Sequence, residues 1–161
     1  MVAAGVGVLG YHWFFPPDAV VIDRRVRGLV RLLRVETDQS IFAQAVRADR
    51  IADHFTHDVS LNLDGISKGS YNVSGRPELR QTALAARNRI VGMRCDVPSL
   101  KISINEETRT AEVDITLLIW HKEDPNPMVE DLCLSLRKEE GIWLIAAIEG
   151  VAEKSLPLET R

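Results

Sequence analysis

The sequence predicts a single α+β domain in which a curved antiparallel sheet folds over helices packed on one face, and three observations predict it. The chain has 161 residues, 45% of them apolar, which is enough for one hydrophobic core and too little for two ordinary domains. Apolar residues recur at helical spacing as far as Phe55, then switch to strict alternation from His57. The chain then closes on alternating runs whose separators are short enough for antiparallel hairpins.

Taken in order, Met1 to Phe15 carries no charged residue and ends in Tyr11, Trp13, Phe14 and Phe15 before Pro16-Pro17. This run is shorter than a full span of about 20 residues and has no basic leading region, yet its aromatics fit the interfacial end of a membrane helix. Two readings are open. Residues 1–17 are the remnant of a longer membrane anchor, or they are an apolar tail packed on the domain or disordered. The anchor reading associates the protein with a membrane and places domain 18–161 in the bacterial periplasm or envelope. The cytoplasm is the alternative, because Arg24, Arg25, Arg27, Arg31 and Arg34 follow closely and positive charge favours that side.

From Ile22, the spacing of Val26, Leu29, Val30 and Leu33 with arginines in the gaps predicts an amphipathic helix over 18–35, its basic face turned to solvent or to lipid headgroups. Ile41, Phe42, Ala45, Val46, Ala48, Ile51, Ala52 and Phe55 predict a second helix over 38–55, capped by Asp38 or Ser40. His57 to Leu63 alternates into the Asp64-Gly65 turn and predicts a strand. After a loop from Ile66 to Gly75, Pro77 sits where a first helical turn tolerates it, and Leu79, Ala83, Ala86 and Ile90 carry a third helix to Gly92. Strands follow at 100–105, 110–121, 128–138 and 142–151.

Charge and cysteine content narrow the function classes. With 20 Lys+Arg against 23 Asp+Glu, the net charge of −3 gives no electrostatic reason to bind nucleic acid. Cys95 and Cys133 stand 38 residues apart with no CxxC and no clustered histidines, so the sequence predicts neither a metal site nor a cofactor. The thiols are read as free, with one Cys95–Cys133 disulfide as the alternative if the fold brings their Cα atoms within about 7 Å. His54 and His57, flanked by Asp53 and Asp58, are three residues apart, too few ligands for a metal on their own.

The passages "ADRIADHFTHDVSLNLDG", "SGRPELRQTALAARNRI", "RTAEVDITLLIW" and "LRKEEGIWLIAAI" stand in an order and spacing that resemble the nuclear transport factor 2-like superfamily, across residues 38 to 151. That superfamily includes ketosteroid isomerases, polyketide cyclases and scytalone dehydratase. The resemblance implies a cone-shaped sheet around three helices, a homodimer joined through the sheet, and a hydrophobic pocket at the open end of the cone. Isomerase-like members use a carboxylate base late in the first strand and an oxyanion hole of a tyrosine and a protonated aspartic acid. Asp64 is the nearest base here, but beside Gly65 it is a turn residue. No tyrosine falls in the two early helices, and Asp131 resembles the family's protonated acid.

The pocket candidates are Glu130, Asp131, Tyr71, Trp120, Trp143 and His121. Glu130 interrupts the apolar series Met128, Leu132, Leu134 and Leu136, so it is either a cavity carboxylate or a solvated rim residue; Asp131 faces the other way with Val129, Cys133 and Ser135. Trp120 and Trp143 are expected in the core or lining a cavity. His121 precedes the charged turn 122–124, and Tyr71 lies on the loop before the third helix. Three readings follow. The first is a non-catalytic module, attached to a membrane, that binds a small apolar ligand or a protein partner. The second is an isomerase, cyclase or dehydratase acting by carboxylate proton transfer in an apolar pocket. The third is a dimerisation module within a larger envelope assembly.

Overall fold

A computed structural model describes residues 17–34, 40–63, 72–86, 91–121 and 125–151. Segment 1–16, Asp38, Asp64, Tyr71 and the turn 122–124 lie outside the described residues. The elements run α1 (Asp18–Leu32), α2 (Ile41–Ala52), β1 (Phe55–Asn62), β2 (Asn72–Ser74), α3 (Arg76–Ala86), β3 (Arg94–Asn105), β4 (Thr110–Trp120), β5 (Met128–Glu139) and β6 (Ile142–Gly150). This is an α+β domain in the expected order, with one addition, the short strand β2 inside the expected loop 66–75. Among the described residues, no helix is long and apolar enough to cross a membrane.

The strands form one six-stranded sheet in the order β2-β1-β6-β5-β4-β3. Every pair is antiparallel except β1 with β6, which run parallel. That pair joins the start of the sheet sequence to its end, so all the intervening elements serve as its crossover, as a parallel pair requires. The expectation of a wholly antiparallel sheet is corrected at this one junction.

Local chemistry sets the element ends. Ser40 caps α2, its hydroxyl accepting a hydrogen bond from the Ala43 N–H at 3.2 Å. At the start of α3, the Glu78 carboxylate reaches back to accept from the Ser74 N–H at 2.9 Å. The β5–β6 hairpin turns on Glu140 and Gly141 with φ of 50° and 83°. Positive φ at both central residues is the signature of a type I′ turn, whose twist matches that of the strands it joins.

Alternation along β4 and β5 divides the sheet into two faces. The inward face presents Ala111, Val113, Ile115, Leu117 and Ile119 from β4 and Leu132, Leu134 and Leu136 from β5, all buried. Trp143 and Ile145 of β6 and Val59 and Leu61 of β1 extend this surface. Helix α1 lays Ile22, Val26, Leu29 and Val30 into the same cluster. These side chains pack α1 against the inward face of the sheet. On its other flank, α1 is fastened to the edge strand β3. Arg27 donates to the Val97 carbonyl at 3.0 Å, and Arg34 to the Cys95 carbonyl at 3.2 and 3.3 Å. These contacts cover part of an edge whose free carbonyls would otherwise invite another strand.

Candidate functional site

The sequence-predicted residues divide between the two sides of β4 and β5. Glu130 pairs in register with Leu117 and shares the inward face with Leu132 and Leu134, half-buried where β5 begins. It makes no hydrogen bond or ion pair among the described residues. Asp131, the next residue, projects outward. It pairs in register with Thr116, whose hydroxyl donates to its carboxylate at 2.7 Å. Two adjacent carboxylates in an extended strand thus face opposite sides of the sheet and cannot converge on one substrate.

The two tryptophans separate in the same way. Trp143 is 1% exposed on the inward face, the largest fully buried side chain described. Trp120 is outward and half-buried, with the Arg94 guanidinium stacked 4.5 Å from its ring centroid. Register brings these two together, Arg94 lying opposite Trp120 and Asp96 opposite Leu118. Across the other hairpin Leu118 stands opposite Val129, which is 57% exposed. Trp120, Leu118 and Val129 therefore make an apolar strip on the outward face, beside the Thr116–Asp131 pair. Single-strand alternation marks Trp120 and Leu118 as one face. The contribution of Arg94 comes from strand register, which a one-dimensional pattern does not contain. His121 is exposed just past the end of β4.

Further along the outward face, Arg137 joins Asp58 of β1 at 2.6 Å and Glu139 at 2.8 Å, bridging over β6. The Arg137 guanidinium holds the Asp58 carboxyl down to about 2. Cys133 is half-buried on this face among Asp114, Glu112 and Glu149, and Cys95 is fully buried. Both thiols are free. Burial raises both their pKa values, and for Cys133 the acidic neighbours add to it, which disfavours the reactive thiolate.

His54 and His57 do not form a ligand pair. His54 lies half-buried beneath Gly28, its Nδ1 2.8 Å from the Arg50 carbonyl, whereas His57 is exposed on β1. Among the described residues, no group of three or more side chains is placed to hold a metal ion. Burial, with Arg25 nearby, lowers the His54 pKa. The folded state thus keeps this imidazole neutral where an unfolded chain takes up its proton, so stability falls as pH drops below about 6.5. Urea midpoints measured at about pH 7.0 and about 5.5 should therefore fall more in the parent protein than in His54→Gln. Equal falls would show that His54 does not contribute to the slope.

The chain was compared with known proteins. No protein-family model matches the chain, and no curated protein matches it. Solved structures do. A Nostoc punctiforme protein of unknown function with a cystatin-like fold superposes with a TM-score of 0.66 at 20% identity, covering 89% of this chain and 97% of its own. A putative scytalone dehydratase from Novosphingobium aromaticivorans gives 0.61 at 17% identity, covering 84% and 85%. A nuclear transport factor 2-like protein with a cystatin-like fold, also from Novosphingobium aromaticivorans, gives 0.63 at 13% identity, covering 97% and 90%. Agreement over nearly whole chains at such low identity is agreement of fold, and a fold of this kind is compatible with many activities. Together with the element order and the sheet described above, it shows that this chain has the cystatin-like, nuclear transport factor 2-like α+β fold.

Proposed function

We propose that this protein is a non-catalytic binding module, attached to a membrane through its N-terminal segment, that binds a protein partner through the outward face of β4 and β5, a second copy of itself first of all. The observation that carries the reading is the strip of Trp120, Leu118 and Val129 on that face. An apolar side chain left 57% exposed near the start of β5, flanked by an arginine-stacked tryptophan, has the chemistry of an interface core with a polar rim. The opposed directions of Glu130 and Asp131 favour binding over proton transfer, because acid–base chemistry needs its groups on one substrate.

In mild detergent, size-exclusion chromatography with light scattering of the full chain should give the mass of a dimer at micromolar concentration. Val129→Arg should give a monomer, since a buried unpaired charge at an interface core is strongly unfavourable. A parent chain that stays strictly monomeric would overturn the self-association. The second reading, an isomerase, cyclase or dehydratase, is supported by Glu130 alone, a half-buried carboxylate on the apolar inward face.

A further inference from the structure

We propose that the solvent side of α1, together with the Phe42 end of α2, is a docking surface for an anionic lipid bilayer. The proposal rests on the membrane attachment put forward above and adds to it a second, electrostatic contact made by the folded domain. The first support is charge asymmetry. Residues 18–52 hold seven arginines against five carboxylates, whereas the whole chain is at −3.

The second support is how those arginines are used. Arg25, Arg27 and Arg34 are directed to the Asp53, Val97 and Cys95 carbonyls, which hold α1 in place. Arg24 and Arg31, seven residues apart and so on one helix face, are exposed. Neither their guanidinium groups nor that of the exposed Arg50 of α2 have a hydrogen-bond or ion-pair partner among the described residues. Of the nearby carboxylates, Asp23 is engaged with Arg27 and Asp49 with Arg80, while Asp53 beside Arg25, and Asp96 in the groove it shares with Arg31, carry no ion pair among the described residues. Arg47 donates to the Arg34 carbonyl at 3.0 Å, which ties α2 to the end of α1 and leaves its charge unneutralised.

The third support is the apolar component. Phe42 is 79% exposed, in an open groove of about 340 Å³ that it shares with Leu32, Ala43 and Val46 between Arg47 and Arg50. An aromatic ring flanked by guanidinium groups suits the headgroup level of a bilayer, where ring and charge are both accommodated. A bilayer is favoured over an acidic protein by continuity along the chain. Helix α1 begins three residues after the uncharged run that ends at Phe15. Three residues reach about 10 Å at most, which is within about one Debye length at moderate salt. A membrane that takes up that run therefore lies within electrostatic range of the start of α1, and Arg24 and Arg31, about 9 and 20 Å further along the axis, come within that range when the helix lies along the surface.

The test is sedimentation of the full chain with vesicles of phosphatidylcholine alone and of phosphatidylcholine mixed with phosphatidylglycerol. The mixed vesicles should bind it about tenfold or more tightly, with the excess fading as salt rises, since each surface arginine is worth about fivefold. The triple variant Arg24→Glu, Arg31→Glu and Arg50→Glu, whose sites are exposed and whose fold is checked by circular dichroism, should lose that excess. Lys101→Glu on the outward face of β3 should keep it. Equal binding to both lipids, unaltered by the triple variant, would overturn this surface and leave attachment through the apolar run standing. An anionic preference that survives the triple variant would also overturn it. Failure to sediment with either lipid would remove the membrane reading itself.

Discussion

Replacing Trp143 by alanine should lower the unfolding free energy by about 3–5 kcal/mol, read as a lower urea midpoint with an unchanged slope. The indole sits at 1% exposure on the inward face of β6, in the cluster formed by Leu134, Leu136, Ile145 and the apolar side of α1. Its removal leaves a cavity that neighbours fixed in strands cannot close, so the cost of lost contacts adds to the lost transfer energy. The ring also lies under the Lys138 ammonium at 5.6 Å, and Lys138 bridges to Asp18 at the start of α1 at 2.8 Å. One side chain therefore supports both the hairpin end and the helix start. The Lys138 ammonium holds the Asp18 pKa below the usual carboxylate range, and the buried indole N–H, which faces that carboxylate outside close hydrogen-bond geometry, adds to the effect. Trp143→Phe keeps much of the ring volume, so it should cost clearly less than alanine. A loss under about 0.5 kcal/mol for Trp143→Ala would place the residue outside the core.

That burial was legible from the size of the ring and not from a period, because residues 142–148 form a continuous apolar run that does not tell one face of β6 from the other. Alternation did mark β4 and β5, expected at 110–121 and 128–138 and found at Thr110–Trp120 and Met128–Glu139. Alternation also separated Glu130 from Asp131 correctly in direction. Strand β3 was legible only from Leu100, although it begins at Arg94. The reason is the register shift between Asp96 and Ser99, around Pro98, which interrupts the period while the strand continues. Strand β2 is three residues long, too short to show a period at all. The parallel β1–β6 pair could not be read because a hydrophobic pattern gives the face of a strand and not its neighbour.

Among the candidate functional residues, the five arginines after the apolar run looked alike in sequence and differ in the structure. Arg27 and Arg34 reach carbonyls 70 and 61 residues away, which no local pattern encodes, while Arg24 and Arg31 stay exposed.

Replacing Ile22 by alanine should cost about 2–5 kcal/mol, and this result decides whether α1 is part of the domain or a linker ahead of it. Ile22 is 0% exposed, and Val26, Leu29 and Val30 continue its face into the sheet cluster. A helix of fifteen residues has little stability alone, so its order must come from that packed face. The polar ties do not substitute for it. The Lys138–Asp18 pair is about a third exposed on each side, and pairs so solvated contribute about 1 kcal/mol or less. The same argument predicts the contrast: Arg24→Ala, on the exposed face of the same helix, should change stability by no more than about 0.5 kcal/mol. Equal and small effects at both positions would mean that α1 does not dock through Ile22. The arrangement of its arginines against β3 would then fall with it. A large effect at Ile22 alone fixes the helix to the sheet, and with it the direction in which Arg24 and Arg31 face.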